Sequence, residues 1–246
     1  DTVKALMREA GESCEELSMS IAGGQTRVTA GVKVPYGVVT GYGMVSAREC
    51  RTVKLAKPGQ DIVLSKWAGL EGTAYLAGRY RRELLSRYPA YLAEEAETFE
   101  RYLSIVPEAA LAMKSNVCAM HDASEGGIFA LWELAEGAGI GLTIDLKKIP
   151  LRQETVEICD CCGANPYELL SGGCLVMTAE NGEELAKTLE AENIPAAVIG
   201  RTTEGNARII RNEEEVRYMD RPKTDEIYKE RKSGYSGARG CESARK

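Results

Sequence analysis

Met120-His121-Asp122-Ala123-Ser124-Glu125-Gly126-Gly127 is the stretch on which the reading of the fold turns. Val117, Cys118 and Ala119 precede it as an apolar, strand-like run. Ile128, Leu131, Trp132 and Ala135 follow it at the i, i+3, i+4, i+7 spacing of a buried helical stripe. The spacing predicts a strand, a glycine-bearing loop and a helix start. A helix start presents backbone N–H groups without intrahelical acceptors, together with the positive end of the helix dipole. Gly126 and Gly127 permit close approach, so the loop can hold a phosphate or a carboxylate. The plainer reading of the same residues is that Ser124 caps the helix and the glycines make the turn.

Composition narrows the class. The chain has 246 residues, 44% apolar and 28% charged, enough for one large core or two modest ones and outside the disordered and fibrous ranges. Its net charge is −6, and no basic stripe interrupts the acidic balance, so nucleic acid is not an expected partner. No run of about 18 apolar residues is present, which argues against a membrane span. The eight cysteines do not form a spaced disulfide framework, and a cytoplasmic location is expected. Cys159, Cys161 and Cys162 lack paired Cys-x-x-Cys knuckles, and the single histidine, His121, is distant in sequence. Core packing is therefore expected at the cysteine cluster and no metal site.

Along the chain, Val3, Leu6, Met7, Ala10, Cys14 and Leu17 predict a helix already running at the first residue, as if the chain started inside a larger domain. Alternation over Val28–Val34 and again over Val38–Val45 predicts paired strands joined at Pro35-Tyr36-Gly37. The turn Lys57-Pro58-Gly59-Gln60-Asp61 leads into a strand at Ile62-Val63-Leu64, a glycine loop over residues 65–73 and a helix over 73–87. An acidic amphipathic helix follows over 91–104, with Leu92, Ala96, Phe99 and Leu103 inward, and a short helix runs from Pro107 toward Met113. Further on, strands are expected over 141–145, 174–179, 196–200, 208–211 and 215–218. Short helices are expected over 152–162 and 166–170, and Asn181 should cap one that reaches Glu190. Residues 230–246 read as a flexible basic tail.

In order stand Gly23-Gly24-Gln25-Thr26, Gly41-Tyr42-Gly43, Pro58-Gly59-Gln60-Asp61, Gly69-Leu70-Glu71-Gly72, His121-Asp122-Ala123-Ser124-Glu125-Gly126-Gly127, Ile149-Pro150-Leu151-Arg152 and Leu170-Ser171-Gly172-Gly173. Together these resemble the aminoimidazole ribonucleotide (AIR) synthase superfamily, and within it the hydrogenase-maturation HypE branch. The resemblance implies a PurM-like α+β fold of α/β layers. A partial N-terminal sheet domain, residues 1–50, would bind ATP and form a homodimer. A complete C-terminal mixed-sheet domain, residues 51–229, would close over nucleotide and acceptor, with the tail beyond.

The same resemblance implies ATP and Mg2+ as cofactors of the full-length protein, with none assigned to this chain by itself. It implies a small-molecule or carrier-protein acceptor whose amide, carboxylate or phosphate oxygen is activated. Phosphoryl chemistry of this kind needs charge neutralisation more than covalent help, which suits glycine loops and carboxylates. Gly23, Gly24, Gln25 and Thr26 would touch nucleotide. Gly69, Glu71, Gly72, His121, Ser124, Gly126 and Gly127 would line the acceptor or anion site. Asp122 would be the catalytic carboxylate, orienting the loop or a bound water.

Departures from the family pattern set the alternative. Aspartate-rich magnesium motifs would sit in an upstream stretch of roughly 70 to 100 residues. Gln25 stands where many relatives carry an acid and is a poor magnesium ligand. The chain ends Cys241-Glu242-Ser243-Ala244-Arg245-Lys246 rather than in the HypE branch's Pro-Arg-Ile-Cys. The expectation is an ATP-dependent parent enzyme whose present segment is inactive by itself. The alternative is a non-catalytic scaffold or maturation-factor module that retains the fold.

Overall fold

The computed structural model describes residues 2–229 and divides the chain into two units, one up to Met44 and one from Val45 onward. The tail expected over 230–246, including Cys241, lies outside the described residues.

In the first unit the expected helix is present as α1 (Thr2–Glu16), with no buried residue. The strands expected over 28–34 and 38–45 are not formed, and residues 19–44 carry neither helix nor strand. Alternating apolar residues make a strand only when another strand takes their backbone groups and a second layer covers their side chains. Here Val28 and Val39 are almost wholly exposed, at 95% and 94%. The period of two is in the sequence, and the partners that would turn it into a sheet are not among the described residues.

The second unit is built on a seven-stranded sheet: β1 (Asp61–Ser65), β2 (Val117–Asp122), β3 (Gly141–Asp145), β4 (Leu175–Ala179), β5 (Ala196–Thr203), β6 (Arg208–Asn212) and β7 (Glu215–Tyr218). Their order is β2-β4-β1-β5-β3-β6-β7, antiparallel throughout except for the parallel β3–β6 pair. The helices are α2 (Leu70–Arg79), α3 (Arg81–Arg87), α4 (Ala90–Glu97), α5 (Val106–Met113), α6 (Phe129–Ala138), α7 (Gln153–Cys162) and α8 (Gly182–Glu190). Asn181 caps α8 as expected, its side-chain oxygen accepting from Glu184 N at 3.2 Å.

Both faces of the sheet are covered, which explains why its central strands read as nearly continuous apolar runs. On one face Ile62, Leu64, Val176, Leu142 and Ile144 join Leu131, Leu134 and Ala135 of α6. On the other, Val63, Met177 and Ala179 join Leu185 and Leu189 of α8 and Ala112 of α5. A third cluster lies among the helices, with Leu76, Leu84, Leu92, Ala96, Ile158, Cys159 and Cys162. Cys159 and Cys162, three residues apart on α7, face this interior and Cys161 is only half-buried, so the cluster packs into the core as expected. On the same helix Val156 faces solvent and Thr155 is buried.

Two helix boundaries differ from the sequence reading. The helix expected over 73–87 is broken at Tyr80, whose backbone leaves the helical region, and the change of direction lets Leu84 join the helical cluster. The helix expected over 91–104 tightens after Glu97 into a 3-10 turn over Thr98–Tyr102, which places Phe99 in the core.

Among the described residues of this unit, Lys66 and Glu108 form a buried charge pair. Lys66, at the end of β1, holds its Nζ 2.5 Å from Glu108 Oε1 of α5, with side chains 8% and 0% exposed. The ammonium also donates to the carbonyls of Tyr102 at 2.7 Å, Ser104 at 2.8 Å and Gly173 at 3.2 Å. Removing one partner leaves the other charge buried without compensation. Lys66→Met or Glu108→Leu alone should therefore cost about 3–5 kcal/mol, while the double variant should recover most of it. Urea denaturation of the four proteins measures the cycle, and a double-variant loss equal to the sum of the two single losses would show that the pair is not coupled.

Candidate functional site

β1 and β2 end, and β4 begins, at the same edge of the sheet, because Leu64 pairs with Val176 and Asp122 with Leu175. The three loops at that edge carry residues 66–73, 122–128 and 166–174, so distant glycine motifs meet there. They are laced together by backbone groups. Ser171 N donates to Ser124 O at 2.9 Å, Gly72 N to Leu170 O at 2.8 Å, and Ala123 N to Cys174 O at 3.0 Å. The Ser171 hydroxyl accepts from Gly69 N at 2.7 Å and donates to Leu169 O at 2.7 Å. Ala68 N donates to Pro150 O at 2.9 Å, which brings in the 149–152 motif. Arg152 then stacks over Trp67, its guanidinium 5.0 Å from the ring centroid. The 58–61 motif, by contrast, sits at the opposite end of β1, where Gly59 N donates to Thr202 O and Gln60 N to the Thr202 hydroxyl.

Gly126 and Gly127 are both buried and both in the left-handed region, with φ of +72° and +56°. A Cβ on Gly127 would lie 2.4 Å from Tyr167 O and 2.8 Å from Leu169 O, so only glycine allows these two loops to touch. Ser124 makes no side-chain cap for α6, which begins only at Phe129. Its contribution is the carbonyl that receives Ser171 N.

The amides expected to receive a ligand oxyanion are partly occupied by the protein itself. Gly126 N donates to Asp225 Oδ2 at 2.5 Å and Leu170 N to Asp225 Oδ1 at 3.2 Å. Ile227 N also donates to Oδ1, at 2.8 Å, making Asp225 the cap of a terminal 3-10 turn. Ile128 N is taken by Tyr167 O at 2.9 Å. Asp225 is 3% exposed, and the sequence reading overlooked it. The signal available was local: an aspartate followed by Glu226-Ile227-Tyr228 is a cap ahead of a helical turn.

Other predicted residues stand as follows. Glu71 lies against Gly172, where a Cβ would come within 2.0 Å of Glu71 Oε2. Its pKa is raised, first by burial and then by the like charge of Asp225. His121 and Asp122 belong to β2 rather than to the loop. The His121 ring meets Glu133 of α6 at 2.8 Å and Asp122 at 3.7 Å, and the Asp122 carboxylate is largely exposed. Cys174 is sealed beneath the loops with its thiol on Trp67 O, and burial pushes its pKa up to about 12, against the opposing pull of Lys66. Such a thiol is inert.

Gly23, Gly24, Gln25 and Thr26 are exposed, and a Cβ at either glycine would meet nothing within 4 Å. No cluster of three or more metal-ligating side chains occurs among the described residues, and no described helix is long and apolar enough to cross a membrane.

Comparison with known proteins agrees with this architecture. Residues 57–211 match the family described as AIR synthase related protein, C-terminal domain. The carbamoyl dehydratase HypE of Rhodobacter capsulatus is 27% identical over 219 residues, which cover 85% of this chain and 60% of that protein. The chain therefore spans about three-fifths of the length of that relative. Among solved structures, the hydrogenase maturation protein HypE of E. coli superposes with a TM-score of 0.58 at 21% identity, covering 72% of this chain and 54% of that one. HypE in complex with ATP superposes with a TM-score of 0.54 at 17% identity, covering 72% and 55%. At these identities the two structures establish the fold.

The glycine contact makes a stability prediction with an internal control. Gly139 also has positive φ, +69°, but open space around it, so Gly139→Ala should cost about 1–2 kcal/mol from backbone conformation alone. Gly127→Ala must in addition push apart two loop backbones and should cost about 1–3 kcal/mol more. Equal costs in urea melts would contradict the close approach. The Glu71 carboxyl yields a pH prediction. A raised folded-state pKa means that the folded protein holds this proton more tightly than the unfolded chain does. Stability from this group is thus full below the ordinary glutamate range and falls as pH rises through the raised value. Glu71→Gln should melt higher than the parent at neutral pH, with the gap closing near pH 4, close to the ordinary glutamate value. A gap that is constant with pH would rule out this titration.

Proposed function

The chain belongs to the family of the AIR synthase related protein C-terminal domain, and from that premise we propose that it supplies the acceptor-binding end of an ATP-dependent enzyme of the AIR synthase and HypE type. The reaction class is activation of an amide, carboxylate or phosphate-type oxygen on a small molecule or carrier protein. The observation that carries this reading is the Asp225 carboxylate itself. It is gripped by amides from two separate glycine loops, which supports an oxyanion site at that place. Gly69, Gly72, Ser124, Gly126 and Gly127 shape that place, and Glu71 borders it. His121 and Asp122, at the end of β2, stand beside it, with Asp122 free to orient a water or an acceptor group.

ATP with magnesium would supply the activating phosphoryl group to the full-length protein. With Gln25, a poor magnesium ligand, in the double-glycine motif that would touch nucleotide, residues 1–246 alone should bind magnesium-ATP weakly, at about millimolar strength or worse. Homodimerisation and a cytoplasmic setting belong to the same proposal. A second reading, a scaffold or maturation module without turnover, is favoured by the neutral Gln25 and by amides already satisfied internally.

Magnesium-dependent ATP turnover by the full-length protein, measured with carboxamide, carboxylate and phosphate acceptors, separates the two. An acceptor-stimulated release of ADP or AMP, lowered about a hundredfold in Gly127→Ala through misplacement of the loop, is expected for the enzyme. Absence of any ATP turnover by folded full-length protein selects the scaffold.

A further inference from the structure

Asp225 does more than cap a turn. It satisfies two amides on other loops, from a terminal segment whose residues 221–224 are exposed. Asp225 and Glu226 are both buried, at 3% and 4% exposed, but the other side-chain contacts of the segment are modest. The Tyr228 hydroxyl donates to Glu125 Oε1 at 3.0 Å between exposed groups, Lys229 pairs with Glu226 of the same turn, and Ile227 rests against the helical cluster. Against the hold stands Glu71, a like charge close enough to feel Asp225.

Lifting Asp225 into water leaves the buried Gly126 amide and the half-buried Leu170 amide without acceptors, which is unfavourable. Exchanging it for another oxyanion restores their charge-assisted hydrogen bonds, and Glu71 repels either anion alike. The segment is therefore poised for exchange with an anion and not for simple opening.

We propose that residues 220–229 form a built-in competitor, in which the Asp225 carboxylate occupies the Gly126 and Leu170 amides until the carboxylate or phosphate group of an acceptor displaces it. The strap sets a threshold on acceptor binding. Apparent affinity is reduced by the fraction of molecules in which the strap is off its seat. The inference rests on the acceptor-site reading above and adds to it a named internal ligand.

Inorganic phosphate is the probe, titrated calorimetrically into the parent protein, Asp225→Asn and Tyr228→Phe after each has been shown to be folded by circular dichroism. The asparagine keeps the shape and loses the charge, so phosphate should bind about tenfold more tightly than to the parent. Tyr228→Phe loosens the strap without touching the amides and should tighten binding about threefold; it decides the matter if the asparagine variant does not fold. Phosphate should also raise hydrogen exchange over residues 220–229 of the parent. Binding that is unchanged or weaker in both variants, with phosphate still bound by the parent, overturns the competitor and leaves the acceptor site standing, with Asp225 as a structural clasp. Phosphate bound by none of the three proteins removes the acceptor site, and the competitor with it.

Discussion

A lysine ammonium buried at the end of a strand is the constraint around which the second unit is arranged. Lys66 sits in the left-handed region, φ +53°, a conformation that costs a non-glycine residue of order 1–3 kcal/mol. The surroundings hold it there. Its own amide donates to Pro195 O, and its Nζ gathers Glu108 and three main-chain carbonyls from two separate stretches of chain. Because a buried charge tolerates no missing partner, these contacts fix α5, the turn after Phe99 and Gly173 together. The loops of the candidate site start from these anchored points. Residues 66–73 leave directly from Lys66, and residues 166–174 return through Gly173.

Downstream of that anchor, the site is made mostly of main chain. Glycine and serine loops give their N–H and C=O groups to one another, and the side chains doing most of the joining are Ser171 and Asp225. A site of this kind is rigid because each loop completes the hydrogen bonding of the next, and buried backbone groups left unpaired are expensive. It also suits oxyanions, since fixed amide dipoles need no reorganisation to receive one. Asp225 shows the consequence: a carboxylate from the chain itself is drawn onto the amides.

Membership of the AIR synthase related family accounts for the sheet, its two covered faces and the glycine loops at one edge. The first unit behaves differently. α1 carries an apolar stripe with Val3, Leu6 and Met7 about half exposed, and residues 19–44 alternate without pairing. Apolar periodicity encodes a preference for burial, and it becomes structure only when a complementary surface is present.

Local chemistry alone determined a great deal. The strand, loop and helix around residues 117–138 could be read directly, as could the Asn181 cap, the inward turn of Cys159 and Cys162, and every strand of the second unit, because each follows from period, capping or turn residues within one window of sequence. The glycine motifs at 23–26 and 69–72 both read as ligand loops, yet the first is exposed while Gly69 and Gly72 lie against Leu169 of a neighbouring loop. Tertiary structure alone decided that three loops meet at one sheet edge, that Lys66 finds Glu108 across 42 residues, and that the Gly126 amide is claimed by a carboxylate 99 residues away. The physical reason is common to all three. Propensity and periodicity act between neighbours along the chain, whereas the satisfaction of a buried charge or amide depends on whichever distant group the packed fold brings within hydrogen-bond reach.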